Sequence, residues 1–240
     1  MLEAISPTAP PLPTRAIMAQ RWRWVSFLHW RVESASIAHL FPDGTRPDEF
    51  DGSSWVGLIG FHLSDFSLLG GPPVPYFGSF PEINVRLYSV DARGRRGVVF
   101  LSLEAARLVT VLGANVSLNV PYKWARMSMR VDRTIDYRSQ RLTDSRPSSH
   151  IVTRPRPETV ENDVLADFLT ARWGMHSRVL GSTRFVPNEH EPWPLRRADV
   201  VELDDQLLDA AGLPGIATRR PESVLYSPGV TARFGLPVPR

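Results

Sequence analysis

Glu82-Ile83-Asn84-Val85-Arg86-Leu87-Tyr88-Ser89-Val90 alternates polar and apolar residues along most of its length. Successive side chains of an extended chain point to opposite faces, so Glu82, Asn84, Arg86 and Tyr88 share one side and Ile83, Val85 and Leu87 the other. The arginine-rich Asp91-Ala92-Arg93-Gly94-Arg95-Arg96 follows as a hairpin tip, and Val98 to Leu101 returns as the partner strand. Upstream, RWRWVSFLHWRV (21–32) is apolar on both faces and reads as a buried strand, and SSWVGLIGFHL (53–63) reads as another. Gly57 and Gly60 within it suggest bulges or close backbone approach. Between 70 and 81, Gly70, Gly71, Pro72, Pro73, Pro75, Gly78 and Pro81 specify a long loop of the kind that borders sites.

Helical signals are few and short. Glu33 to Leu40 can form one turn or two before the Phe41-Pro42-Asp43-Gly44 turn. Ser102 reads as the cap of a helix in which Ala105, Leu108, Val109 and Leu112 share a face and Gly113 ends it. Residues 117–131 are extended, and 132–150 form a polar, hairpin-like stretch. A helix over about 160–173 places Val164, Leu165, Phe168 and Leu169 together. A small hairpin near Gly181 and a helix from Asp204 to Ala211 complete the chain. With no internal repeat and no interior linker, the reading is one β-rich α+β domain over 20–240, preceded by a flexible, proline-rich arm over 1–19.

Composition narrows the function. The 240 residues are 42% hydrophobic, which is enough to offset chain entropy and build a core. The absence of cysteine removes disulfides, thiolate metal sites and a cysteine nucleophile. No apolar run is long enough for a membrane span and the N-terminal segment lacks the features of a signal peptide, so the expectation is a cytoplasmic protein with no membrane partner. The net charge is only +3, and Lys123 is the sole lysine among the basic residues. The clustered arginines at 93, 95 and 96 sit on a turn rather than along a face, so no nucleic-acid partner is expected. His29, His39, His62, His150, His176 and His190 are scattered without metal-ligand spacing, and no cofactor-binding motif is present, so neither a metal nor a cofactor is expected. His29, between Leu28 and Trp30, reads as a core histidine bonded to backbone. Seven tryptophans offer enough aromatic surface either for a homo-oligomer interface or for filling a bent barrel.

Two places can carry chemistry. Glu82, Asn84 and Arg86 form a row of acid, amide and guanidinium, spaced roughly 6–7 Å apart on one side of a strand. On a solvated face this row is ordinary alternation. On a cavity wall, Arg86 would anchor a carboxylate and Glu82 would move protons. At the second place, strand parity sets Lys123 with Ala125, Met127 and Met129 on an apolar face, and Tyr122, Trp124 and Arg126 on the other. A desolvated lysine amine can form a Schiff base, whereas a lysine at a surface extends its charge into water.

The ordered set FLHWRV (27–32), LFPDG, FDGSSWVGLIGF, EINVRLYSV with VVFLSLEA, VPYKWARM, FLTARW and HEPWPLRRADVVEL resembles the YqjF-like family (domain of unknown function 2071), within the acetoacetate-decarboxylase-like superfamily. The resemblance covers about residues 20–235. It implies a strongly bent, mostly antiparallel sheet or barrel around a central cavity, with few helices. Decarboxylases of that superfamily use a lysine directly after a proline as Schiff-base nucleophile, beside a second lysine and a glutamate from a neighbouring strand. Pro121 matches the proline and Glu82 the glutamate, but Tyr122 stands in the nucleophile's place and Lys123 at the second position, so acetoacetate decarboxylation itself is not expected. If Tyr122 faces the cavity, parity turns Lys123 away from it. The resulting candidates are Glu82, Tyr122 and Lys123 for catalysis, with Asn84, Arg86 and Arg126 for ligand binding. Tyrosine as an acid or base needs a nearby cation, Arg86 or Arg126. The expected function is binding of an organic acid or carbonyl compound with a lyase-type step. The alternative is a non-catalytic binding or interaction protein on the same fold.

Overall fold

The computed structural model of the protein describes residues 1–76, 78–106, 120–143, 145–179 and 181–239. Within them lie strands β1 (Met18–Val32), β2 (Thr45–Pro47), β3 (Ser54–Leu68), β4 (Phe80–Asp91), β5 (Arg96–Ala105), β6 (Tyr122–Val131), β7 (Ile135–Arg141), β8 (Ser148–Thr159), β9 (Gly174–Val179), β10 (Ser182–Glu189), β11 (Arg196–Asp205), β12 (Ser223–Phe234) and β13 (Val238–Pro239). The helices are single turns or little more: α1 (Ser34–Ile37), α2 (Val164–Thr170) and α3 (Leu207–Ala210).

The strands make one sheet that folds back on itself. Pairing runs β5-β6-β7-β8-β11-β12-β1-β3-β4, and β4 pairs again with β5. A second link runs from β5 through β9 and β10 to β12. Among the described pairs, β5–β6 and β5–β9 are parallel and the others antiparallel. The long strand β1 bends where its register with β3 shifts between Arg23 and Ser26; Trp24 sits there with φ of 50°. An extra residue of this kind kinks a strand and strengthens its twist, which a closing sheet requires.

Both faces of β4 are buried, which decides what its polar row is for. Ile83, Val85 and Leu87 pack with Leu28, Trp30, Val56, Leu58 and Tyr137. Full burial of such side chains contributes roughly 1.5–3 kcal/mol each. The opposite face, carrying Glu82, Asn84 and Arg86, turns into a cavity within the folded sheet. Gly60 faces the packed side, where a Cβ would come 3.0 Å from the Tyr137 side-chain ring.

Several local readings change. Ser102 does not cap a helix: Ser102 and Ala105 are buried in β5, because the apolar alternation that begins at Val98 continues through Leu103. The remainder of that expected helix lies outside the described residues. Helix α2 is shorter than 160–173; the Asp163 side chain accepts from the Ala166 amide at 3.0 Å and so starts it. Phe168 and Leu169 are buried as expected, whereas Val164 is exposed. The proline-rich arm lies along the body: the Glu3 amide donates to the Gly94 carbonyl, the Trp173 indole to the Ser6 carbonyl, and the Leu12 amide to the Glu189 carboxylate. No helix among the described residues is long and apolar enough to cross a membrane.

Candidate functional site

The cavity has a volume of about 570 Å³, in the range that holds whole ligands. Most of its wall is apolar, with Trp22, Phe27, Ile59, Phe61 and Trp193 among the lining side chains. Trp22 and Trp193 stack at 5.8 Å, and the Trp193 indole is fixed by donating to the Thr170 carbonyl at 3.0 Å. Against this wall stand polar groups that include Glu82, Asn84, Arg86, Tyr122, Arg172 and His190.

Strand register explains how Glu82 and Tyr122 meet. On β4, Glu82 lies opposite Phe61 of β3 and Ala105 of β5, and Asn84 lies opposite Ile59 and Leu103. Leu103 is paired in turn with Tyr122 on β6. The Tyr122 hydroxyl therefore reaches across β5 and donates to Glu82 Oε2 at 3.1 Å. Glu82 is only 2% exposed, and burial pushes its carboxyl up to about 8 against hydrogen bonds from Tyr122 and Asn84; buried Glu104 nearby adds to the rise. Burial and the facing Glu82 charge drive the Tyr122 hydroxyl well above its usual range. Tyr122 is accordingly a hydrogen-bond donor to Glu82.

Arg86 points along the same row. Its Nη2 donates to the Leu169 carbonyl at 2.9 Å and its Nε to the Tyr88 hydroxyl at 3.3 Å. Gly57 on β3 lies directly opposite Arg86; a Cβ there would sit 3.3 Å from Arg86 Cγ and 3.2 Å from the Tyr88 oxygen. Glycine at 57 therefore leaves the guanidinium its space.

The remaining sequence candidates fall elsewhere. Lys123 and Arg126 are exposed and neither lines the cavity; Arg126 is paired with Gln140 of β7. The alternation slips by one residue here. Tyr122 faces inward, Lys123 and Trp124 are both exposed, and Ala125 is buried. The slip coincides with a change of partner, from β5 through Trp124 to β7 from Ala125 onward. Parity counted back from Met129 therefore holds to Ala125 and does not extend to Tyr122.

The residue that sequence reasoning missed is Arg172, just beyond α2. Its Nη1 donates to Asp48 Oδ2 at 2.7 Å, its Nε to the Phe168 carbonyl at 2.6 Å, and it is 5% exposed. The available signal was an arginine following a helix whose buried face had been read as purely apolar, within FLTARW. His190 lines the cavity with Nδ1 2.6 Å from the Glu191 carbonyl oxygen, and burial lowers its pKa. His29 is fully buried as expected, but neither ring nitrogen has a partner among the described residues; it stacks on Phe27 and burial holds it neutral. No group of three or more metal-ligating side chains is close enough among the described residues to hold an ion.

A family model described as an uncharacterized conserved protein, DUF2071, matches residues 19–231. The chain belongs to the DUF2071 family. A member from Bacillus subtilis, the uncharacterized protein YqjF, is 32% identical over 200 residues, covering 82% of each chain. Among solved structures, acetoacetate decarboxylase from Legionella pneumophila superposes with a TM-score of 0.64 at 11% identity, over 96% of this chain and 91% of that one. The enduracididine biosynthesis enzyme MppR complexed with pyruvate gives 0.58 at 14% identity, over 95% of each. At such identities the likeness shows the fold: DUF2071 here has the acetoacetate-decarboxylase-like architecture, strand-rich with few short helices.

Proposed function

We propose that the protein binds an organic acid carrying a carbonyl group in this cavity and catalyses a lyase-type step that begins with proton transfer at the carbon beside the carbonyl. The observation that carries the reading is the Glu82 carboxyl: enclosed, hydrogen-bonded by Tyr122 and Asn84, and without a salt-bridge partner among the described residues. A carboxyl raised to about 8 is matched to proton exchange near neutral pH. In its ionised form Glu82 takes the proton, with Tyr122 and Asn84 stabilising the carboxylate; in its neutral form it returns one. Arg86 faces the same cavity as the anchor for the substrate's carboxylate. MppR, with the same fold, has been crystallised with pyruvate, a 2-oxo acid of this class.

An imine to this chain is not part of the proposal. Lys123, the sole lysine, is exposed and off the cavity wall. Borohydride trapping with a panel of 2-oxo acids, read by intact mass, is expected to give no adduct on Lys123, and an adduct there would overturn the imine-free route. The direct test is NMR in deuterium oxide. The C3 protons of a bound 2-oxo acid are expected to exchange, faster as pH rises toward about 8 and level beyond it. Thermal stabilisation by the acids without exchange of any of them would leave the non-catalytic binding protein as the reading.

A further inference from the structure

Arg172 is almost completely buried, and its Nη2 has no hydrogen-bond partner although Nη1 and Nε are both engaged. A buried donor left unmade costs free energy comparable to a lost hydrogen bond, and here the residue lines a cavity. Its charge is held in place by Asp48, which also accepts from Arg96 at 2.5 Å. Arg86 lies against the same ring: the guanidinium carbons of Arg172 and Arg86 are 4.8 and 5.5 Å from the Tyr88 ring centroid. The carbonyls that fix them, Phe168 and Leu169, are neighbours on α2. Nearby, Asn84 Oδ1 is buried and likewise unpartnered. Arg86, Arg172 and Asn84 all line the cavity.

The rest of the cavity does not suit a three-carbon acid. Its wall is apolar and aromatic along Trp22, Phe27, Phe61 and Trp193, and the volume far exceeds what a pyruvate-sized molecule fills. Its lining also reaches Leu68 and Val74, which are 52% and 37% exposed, beside Leu69 and Tyr76 at 75% and 66%. Four large exposed apolar side chains at one margin of a cavity form an unusual surface for a small polar ligand to cross.

We propose that the ligand is an amphipathic carboxylate, a 2-oxo acid with a medium-length aliphatic or aromatic body. Its carboxylate lies between Arg86 and Arg172, and its body lies against Trp22, Phe61 and Trp193. This rests on the reading above for the acid and carbonyl, and adds the second arginine and the apolar body.

Calorimetric titration with pyruvate, 2-oxobutanoate, 2-oxohexanoate and 2-oxooctanoate tests the body. Affinity is expected to rise roughly three- to fourfold per added methylene. Equal or falling affinity along the series would overturn the amphipathic class. Octanoate against octanamide tests the arginine end on the unaltered protein, so no variant needs to fold. Octanoate is expected to bind at least tenfold more tightly, and equal binding would overturn the paired guanidinium site. Arg172→Met, with its fold checked by circular dichroism, should erase that preference; retention of it would remove Arg172 from the site. The two proposals fail separately. Chain-length-dependent binding of acids whose C3 protons do not exchange removes the proton-transfer reading and keeps this one. Exchange of pyruvate with no gain along the series does the reverse.

Discussion

Glu82 and Glu104 are both carboxyls with almost no exposed surface, on the neighbouring strands β4 and β5, yet they have opposite company. Glu104 faces a guanidinium fork: Arg141 Nε and Nη2 donate to its two oxygens at 3.2 and 2.5 Å. Glu82 has a hydroxyl and an amide. A bidentate arginine engages both oxygens of a buried carboxylate and makes it part of the scaffold. A carboxyl held only by neutral donors keeps its proton until about pH 8 and remains available for exchange. One fold supplies both environments one residue apart in cross-strand register, since Ile83 pairs with Glu104 and Glu82 with Ala105.

The comparison breaks most sharply at Glu82→Gln. Proton exchange on a bound 2-oxo acid should fall by about 10²–10⁴-fold, the range typical for losing a general base, while urea unfolding below about pH 4.5 stays near that of the unaltered protein. Activity retained by this variant would end the proton-transfer reading. Arg141→Met should behave in the opposite sense. It strands Glu104 in the interior and should cost about 3–5 kcal/mol of stability, measured by urea denaturation. A loss under 1 kcal/mol would mean the pair is not the scaffold element described.

Titration sharpens the contrast. Glu82 holds its proton to about pH 8 when folded, whereas in the unfolded chain it ionises near 4.5. The folded state therefore binds more protons between those values, and the stability contributed by Glu82 is full below about pH 4.5 and lost as pH rises to about 8. Relative to Glu82→Gln, the unaltered protein should lose up to about 1.4 kcal/mol per pH unit across that window and run parallel above it. Parallel curves throughout would show that the carboxyl is not raised. The smallest expected effect is Gly57→Ala. Its Cβ would press on Arg86 and Tyr88 at 3.2–3.3 Å, costing about 1 kcal/mol. It should weaken acid binding through Arg86 while leaving the Glu104–Arg141 pair intact.

Much of the fold was legible because alternation is local. The segment 82–90 displayed its two faces, and β1 and β3 lay where dense aromatic and β-branched runs placed them. What alternation could not show was whether a polar face met water or a cavity, since that depends on a sheet closing through strands distant in sequence. The resemblance carried by the ordered motifs supplied that closure. Lys123 illustrates the converse limit: its orientation is set by a change of strand partner between Trp124 and Ala125, which no period within the segment records. Arg172 escaped because its role arises from Asp48, far away in the chain, and from a guanidinium nitrogen left over after that contact is made. The helix expected from Ser102 failed where a strand pattern and a cap signal overlapped and sheet pairing prevailed.

Strand β12, which begins only at Ser223, is bonded to β1, β10 and β11 and thereby joins the first strand of the chain to the last third. A chain emerging from the ribosome therefore carries Trp22, Phe27 and Phe61 without their enclosure until β12 has been synthesised. Such late closure favours slow acquisition of the native state.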